Sequence, residues 1–299
     1  MEPPSTLKPA EVAIAMVELG VAKHKTRADK VFAKAFLAGA MLSFGGLLSE
    51  VIQAGSGGIN GSNPGLVKDR SPRPGASYKQ HDDSSHPIAV IKGAIPWWSL
   101  PLNWLIVTFG NLVGSLFFGA ILVRYSGIIS TEPYQSFVQT FALHKARDPE
   151  WHQIFLRGIG CNWLVCVAVW QAMGARDTLS KIVSIWIPIW IFVACGFDHV
   201  VANMFSVPLG IMFGADLTTA AYIRKSLIAA YIGNIVGALF VALPAVYFYL
   251  GDYHYHASDM QLAAMETAGG VGSGGGRSES SENDNDKAEV YRVSSRRVE

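Results

Sequence analysis

Gly196-Phe-Asp-His-Val-Val-Ala-Asn-Met-Phe205 places an aspartate and a histidine at the centre of a 34-residue apolar run, Ile182–Ala215, that carries no other charge. A straight helix of that length would be about 51 Å long, whereas the apolar core of a bilayer is about 30 Å thick. Gly196 precedes the charged pair, and Pro188 and Pro208 flank it. These residues favour two half-helices that meet near mid-membrane, where freed backbone is tolerated only beside a cavity or inside protein. A long tilted helix that continues into a surface segment is the alternative.

The sequence outside this run also has the composition of a membrane protein. Half of the 299 residues are hydrophobic and 16% are charged, against about 25% charged residues in soluble domains. Crossing a bilayer takes about 20 apolar residues in a helix, and the uncharged runs Ser99–Val123, Gly158–Ala175 and Ser226–Gly251 meet or approach that length. A weaker run extends over Ala35–Ser49. We therefore predict an all-α, polytopic membrane protein with five clear spans, one of them the broken helix at about 182–215.

The charge balance and the cysteines argue against several other classes of protein. The chain has 24 basic and 23 acidic residues, a net charge of +1, so no nucleic-acid partner is predicted. The three cysteines lie in apolar runs without CxxC spacing, and we interpret them as core residues. One histidine inside a span cannot supply the paired axial ligands of a haem. No cofactor, no metal site and no enzymatic activity are predicted.

Two apolar segments of the chain repeat each other closely: Gly110-Asn-Leu-Val-Gly-Ser-Leu-Phe117 and Gly233-Asn-Ile-Val-Gly-Ala-Leu-Phe240. Both contain the GxxxG spacing that lets two helix backbones approach closely. The predicted helix-packing residues are therefore Gly110, Asn111, Gly114, Gly233, Asn234 and Gly237. The repeat predicts a duplicated bundle. In the first copy, however, the place of the broken helix is taken by the polar segment 69–87, whose only large apolar residue is Tyr78.

The rest of the chain divides into three parts. Residues 1–30 form a lysine-rich segment, which the positive-inside rule places in the cytoplasm, and residues 31–252 form the transmembrane domain with its polar replacement segment. Residues 253–299 are rich in glycine, serine and acidic residues, and we expect a disordered tail. The short loop with Arg176 and Lys181 should also be cytoplasmic. That placement requires six crossings, whereas the sequence supplies five.

Several of these stretches resemble signature sequences of the formate–nitrite transporter family. Gly196-Phe-Asp-His-Val-Val-Ala-Asn-Met-Phe205 is similar to the signature of the family's fifth helix. Gly158-Ile-Gly-Cys-Asn-Trp-Leu-Val-Cys166 is similar to its fourth helix, and Ile232-Gly-Asn-Ile-Val-Gly237 to its sixth. The likeness covers about residues 31–68 and 88–252.

The resemblance implies an aquaporin-like protomer of six helices in two inverted halves, assembled as a pentamer with a pore through each protomer. It also implies passage of small monovalent anions of weak acids, such as formate and nitrite. In the family the second and fifth helices are both broken, whereas here residues 69–87 replace the second. Two hypotheses follow. One is a proton-linked permease for nitrite or formate in the plasma membrane, and the other is a transport-inactive member that acts as an assembly or regulatory subunit.

His199 and Asp198 are the predicted proton-relay residues of the pore. An ionisable side chain inside a span is functional by default, and an imidazole titrates near neutral pH. An isolated carboxylate-sized ion faces a cost of order 20 kcal/mol on entering a medium of low dielectric, and the neutral acid avoids most of it. Asp198 either tunes His199 or caps the helix break. The alternative for His199 is a core histidine bonded to a neighbouring carbonyl group.

Three further residues are predicted to lie on the anion path. Asn162 matches the pore asparagine of the family's fourth helix, with an ordinary interhelical hydrogen bond as the alternative. Phe192 matches the phenylalanine of the family's hydrophobic slit, with simple packing as the alternative. Lys145 is a candidate for a basic vestibule that attracts anions, and its alternative is a solvated lysine in a loop.

Overall fold

The computed structural model of this chain describes residues 6–63 and 84–255. Within these ranges all regular secondary structure is helical, apart from one isolated bridge between Thr6 and Ala175. The helices are α1 Pro9–His24, α2 Ala28–Gly55, α3 Gly57–Ser62, α4 Ser85–Ile91, α5 Ser99–Tyr125, α6 Tyr134–Ala146, α7 Trp151–Gly174, α8 Thr178–Ala194, α9 Val200–Met212 and α10 Thr219–Tyr249. Two segments are π-helical, Phe118–Tyr125 at the end of α5 and Tyr222–Leu227 near the start of α10.

Four of the described helices, α2, α5, α7 and α10, are long and apolar enough to cross a membrane. The shorter α8 and α9 together make the fifth crossing, and the chain between them is the break predicted at the centre of 182–215. Gly196 lies in this break with φ +76°, a left-handed conformation that glycine adopts without a steric penalty. The predicted helical membrane fold with one broken span is confirmed.

The start of α8 is set by Asp177, whose carboxylate accepts a hydrogen bond from the backbone N–H of Ser180 at 2.8 Å. Such an N-cap satisfies one of the backbone donors that a helix leaves free at its first turn. The hydrogen bonds from Ser180 lower the pKa of the exposed Asp177 carboxyl group below its usual value. The cap is therefore retained in its ionised form at neutral pH.

The long helices pair in parallel within each half, and the repeated glycines lie at both contacts. A Cβ atom on Gly110 would lie 2.6 Å from the Cβ of Ala35 in α2, and one on Gly237 would lie 2.5 Å from the carbonyl oxygen of Ile159 in α7. Distances below about 3 Å leave no room for a side chain. The α2–α5 and α7–α10 pairs therefore need these glycines.

The shorter helices repeat in the same way, α1 packing on α4 as α6 packs on α9. A Cβ on Gly20 would lie 2.6 Å from the Cβ of Ala89, and one on Gly210 would lie 2.7 Å from the carbonyl oxygen of Val138. Hence α1, α2, α4 and α5 correspond to α6, α7, α9 and α10. The predicted duplication is present at the level of helices.

Helix α4 was not expected from the sequence. Its first turn begins within the predicted polar segment 69–87, yet Ser84, Ser85 and His86 are fully buried. Residues 69–83 of that segment, and residues 256–299 of the predicted tail, lie outside the described part of the chain. The N-terminal segment also differs from a purely polar extension, because α1 buries an apolar face against the bundle.

The two halves are inverted with respect to each other. The backbone N–H of Leu7 donates to the carbonyl of Gly174 at 2.8 Å, so the chain start and the end of α7 share one end of the bundle, here called the near end. His24, just before α2, contacts Ser99, the first residue of α5, at 2.6 Å, so α2 and α5 both start at the near end. α2 finishes at the opposite, far end, beside Tyr134 at the start of α6. The described helices thus have the parity of six crossings, as the topology of the charged loops requires.

Candidate functional site

A cavity of about 860 Å³ lies between α2, α6, α7, α8 and α9. Its outer wall includes Gly57 and Pro133, next to the far ends of α2 and α6, and its inner wall includes Phe192 and His199. The cavity therefore leads from the far end of the bundle to the break between α8 and α9.

His199 lies at the inner end of the cavity as the N-cap residue of α9. Its ring nitrogen Nδ1 accepts a long hydrogen bond from the backbone N–H of Ala202 at 3.4 Å, and the residue is 3% exposed. The imidazole stacks on Phe192 of α8, with ring centroids 6.0 Å apart and planes inclined by 27°. The predicted relay histidine and the predicted slit phenylalanine thus form one aromatic pair at the base of the cavity.

Lys145 and Asp198 form a buried ion pair that holds the break. The ammonium nitrogen of Lys145 donates to Oδ1 of Asp198 at 2.9 Å and to the carbonyl oxygens of Gly196 and Phe197 at 3.2 Å each. Lys145 lies in helix α6 and its side chain is 16% exposed, so the alternative of a solvated loop position was wrong. Because an ammonium has three donors, these three acceptors saturate it. The carboxylate of Asp198, which is fully buried, is therefore neutralised by a residue on a neighbouring helix.

Asn234 of α10 binds two backbone groups that the break leaves free and one carbonyl group of α7. Its Nδ2 donates to the carbonyl oxygens of Gly158 at 2.9 Å and Asp198 at 3.0 Å, and its Oδ1 accepts from the backbone N–H of Val200 at 2.9 Å. Asn111 holds the equivalent position in the first repeat and is equally buried, but its Oδ1 has no hydrogen-bond partner among the described residues. Among the described residues, the two repeated asparagines therefore differ in their hydrogen bonds.

Asn162 does not join His199 and Phe192 at the large cavity. Its Nδ2 donates to the backbone carbonyl of Asn234 at 2.7 Å. It lines a separate cavity of about 20 Å³, room for about one water molecule. The interhelical hydrogen bond that was the alternative for Asn162 is present in the structure.

The family model for formate/nitrite transporters matches residues 84–248. The chain belongs to the formate/nitrite transporter family. The probable formate transporter of Methanothermobacter thermautotrophicus is 36% identical over 269 residues, which cover 82% of this chain and 97% of that relative. The formate channel BtFdhC of Bacillus thuringiensis is 30% identical over 242 residues, which cover 77% and 90% of the two chains.

Solved structures of the formate/nitrite transporter family have the same fold. A pentameric formate channel with formate bound superposes with a TM-score of 0.61 at 28% identity, covering 75% of this chain and 98% of the channel. An ion channel of the family superposes with a TM-score of 0.65 at 25% identity, covering 80% and 98%. The helical transporter fold predicted from the sequence is thereby confirmed.

Two charged residues of this family member line the cavity and were missed from the sequence. Glu50 of α2 is 2% exposed and Arg157 of α7 is half-buried, and both belong to the cavity wall. Each interrupts or borders an apolar run, which is the signal that could have found them, because charges within spans are costly and functional by default.

The cysteines were interpreted as core residues, which was wrong for one of them. Cys161 and Cys166 are buried, whereas Cys195 is exposed and lines the cavity at the start of the break. A thiol therefore marks the boundary between α8 and the break.

Proposed function

We propose that this chain conducts small weak-acid monoanions, formate and nitrite, across the plasma membrane, and that a proton moves with the anion through His199. The observation that carries the proposal is the cavity, which leads from the far end of the bundle to a histidine in a broken membrane helix. Relatives named as a formate transporter and a formate channel support the substrate class.

The mechanism follows from the cost of moving a charge into a medium of low dielectric, of order 20 kcal/mol for an isolated ion in the idealised case. An anion enters the wide outer part of the cavity, where basic side chains attract it. At the inner end it reaches the aromatic pair of Phe192 and His199. His199 supplies a proton to the anion, the neutral acid crosses the apolar constriction, and the histidine is reprotonated through the cavity from the side on which the anion entered. Each carboxylic or nitrous acid molecule that passes thus carries one proton.

A pentamer is the proposed assembly. It rests on the solved relative described as a pentameric formate channel and on the many large apolar side chains that the membrane helices expose. In such an assembly each protomer would hold its own cavity, since all residues of the cavity wall come from one chain.

A transport-inactive family member that assembles with other subunits is the second candidate. The polar sequence of residues 69–83 favours it, because these residues, which precede α4, lack the apolar composition of the half-helix α8. Uptake by this chain reconstituted alone separates the two candidates.

The test compares uptake of labelled formate and nitrite into proteoliposomes at one pH below and one pH above the ordinary histidine pKa of about 6.5. His199→Asn is the informative variant because asparagine is a good N-cap, so α9 keeps its start while the titrating ring is lost. We expect uptake by the wild-type chain to rise at the lower pH and this rise to vanish in His199→Asn. His144→Asn is the matched control, since His144 lines the same cavity near its outer rim.

Each outcome decides one part of the proposal. Unchanged pH dependence in His199→Asn would remove the histidine from the mechanism and leave permeation standing. No uptake by the wild-type chain alone would overturn transport and favour the assembly partner.

A further inference from the structure

Besides the histidine at the break, three basic side chains of the described residues line the cavity, and that of Arg157 is the one among them without a described partner. Nδ1 of His144 lies 2.7 Å from a carboxylate oxygen of Asp148. The ammonium of Lys145 is saturated by its three acceptors in the break. The side chain of Arg157 makes no hydrogen bond and no ion pair with any residue in the described ranges, although it belongs to the cavity wall.

Arg157 is fixed at the level of the break by its own backbone. Its carbonyl oxygen accepts the backbone N–H of Asp198 at 3.4 Å. Three residues further along α7, Gly160 lies against the ring of Phe197, where a Cβ atom would come within 2.8 Å of a ring carbon. The Arg157 side chain, which lines the cavity, therefore starts from a point on α7 that adjoins the helix break.

Arg157 is the cation of this wall whose side chain has no hydrogen bond or ion pair within residues 6–63 and 84–255, and the wall also includes the carboxylate of Glu50, which is 2% exposed. The ion pair of Lys145 and Asp198 is neutral as a unit, and His144 is bound to Asp148. A half-buried cation is screened by salt less than an exposed one. An anion that reaches the inner cavity therefore meets the guanidinium as the available donor.

We propose that Arg157 is the docking residue for the permeant anion and that it selects planar monoanions with two terminal oxygens over spherical halides. A guanidinium presents N–H donors in a rigid fork that matches two oxygens at once. A halide carries the same charge but cannot occupy both arms of the fork in that geometry. An ammonium supplies the charge without the fork. The role rests on the proposed function, because it names the residue that first holds the transported anion.

Two measurements on the full-length chain test this role. The first is the half-saturation concentration for formate uptake into proteoliposomes, with bromide as a competing ion. The second is the formate-induced rise in melting temperature of the purified protein at constant ionic strength, which reports binding without transport. The variants are Arg157→Lys, which keeps the charge and loses the fork, and Arg157→Gln, which loses both. Arg224→Lys and Arg224→Gln are the matched controls, because Arg224 is an exposed arginine at the same end of the bundle and outside the cavity wall.

We expect Arg157→Lys to raise the half-saturation concentration for formate about tenfold, the equivalent of one bidentate charge-assisted contact. Competition by bromide should be preserved in Arg157→Lys and lost in Arg157→Gln. The Arg224 variants should behave as the wild type does.

The outcomes separate the role of Arg157 from the proposed function. Wild-type uptake with both Arg157 variants unchanged would overturn the docking role and leave transport standing. Formate-dependent stabilisation that requires Arg157, in a chain that transports nothing, would support docking and overturn transport. A folded Arg157→Lys variant with wild-type preference for formate over bromide would overturn the selectivity. Absence of both uptake and stabilisation in the wild type would overturn both.

Discussion

Replacing Asn234 by alanine removes one buried amide and strands two backbone groups of the break. The carbonyl group of Asp198 loses a donor and the N–H of Val200 loses an acceptor, whereas the carbonyl group of Gly158 lies inside α7 and keeps its helical hydrogen bond. A buried polar group that loses its partner costs about 1–3 kcal/mol, so two such groups sum to about 2–6 kcal/mol. Single substitutions rarely exceed about 4–5 kcal/mol, because the site relaxes and admits water. We expect Asn234→Ala to lower the free energy of unfolding by about 2–5 kcal/mol.

The internal repeat supplies a matched control at Asn111. This residue is as buried as Asn234 and occupies the same place in the repeated segment, but its amide oxygen has no partner within the described ranges. Within the described ranges no backbone group is bound by its side chain, so truncating it strands none of them. Asn111→Ala should therefore cost about 1 kcal/mol, the typical size of a single substitution.

The assay is thermal unfolding of the purified variants in the same detergent, followed by tryptophan fluorescence. For a chain of this size each kcal/mol shifts the melting temperature by about 2–4 °C, so Asn234→Ala should melt about 4–20 °C below the wild type and Asn111→Ala within about 4 °C of it. Equal shifts for the two variants would show that the hydrogen bonds at the break are not what stabilises it. A shift below about 2 °C for Asn234→Ala would lead to the same conclusion.

Two further outcomes are expected. A membrane-impermeant, negatively charged thiol reagent should label the exposed Cys195 and block uptake, whereas Cys161 and Cys166 are buried. The Cys195→Ser variant should take up anion normally in the presence of the reagent. Full labelling of Cys195 by mass spectrometry with normal uptake would exclude this cavity as the path. Asp198→Asn should lower the melting temperature, because removing one partner of a buried ion pair costs about 3–5 kcal/mol. Since the Lys145 side chain is 16% exposed, the lower end of that range applies. Adding Lys145→Met should recover part of the loss, and a double variant as unstable as the sum of the single ones would show that the two residues are not coupled.

The parts of the fold that could be predicted from the sequence are encoded locally. The 182–215 run is too long for one straight helix across a bilayer, which predicts a break. Gly196 supplies the left-handed turn within a few residues of the charged pair. The repeated glycines at Gly110 and Gly233 identify the helix contacts because two helix backbones approach closely where a side chain is missing. Each of these signals is complete within one or two helical turns.

Helix α4 escaped prediction because its first turn is buried by polar contacts. Ser85 accepts a hydrogen bond from the ammonium of Lys23 at 2.9 Å, and His86 contacts the hydroxyl of Ser99 at 3.2 Å. Hydrophobic periodicity detects only apolar burial, so the sequence Ser84-Ser85-His86 gives no sign of a buried helix and belongs to the predicted polar segment 69–87. The partners that allow this burial come from α1 and α5.

The chemistry of the cavity wall depends on contacts between residues far apart in the chain. Lys145 precedes Asp198 by 53 positions, and no sequence pattern around either residue indicates that the two form a pair. Arg157 acquires its place in the wall because its carbonyl binds the N–H of Asp198, again across the chain. Such pairings exist only after α6 and α7 have packed on the break, so no local pattern could have specified them.

The side chain of Lys145 connects helix α6 directly to the break between α8 and α9. α6 starts at the far end of the bundle, and the Lys145 side chain near its other end donates hydrogen bonds to Asp198 and to two carbonyl groups between α8 and α9. A force on this helix, whether from an antibody, a bound lipid or membrane tension, would therefore act through one side chain on the chain segment between α8 and α9. Helix α6 is in this sense mechanically coupled to the break.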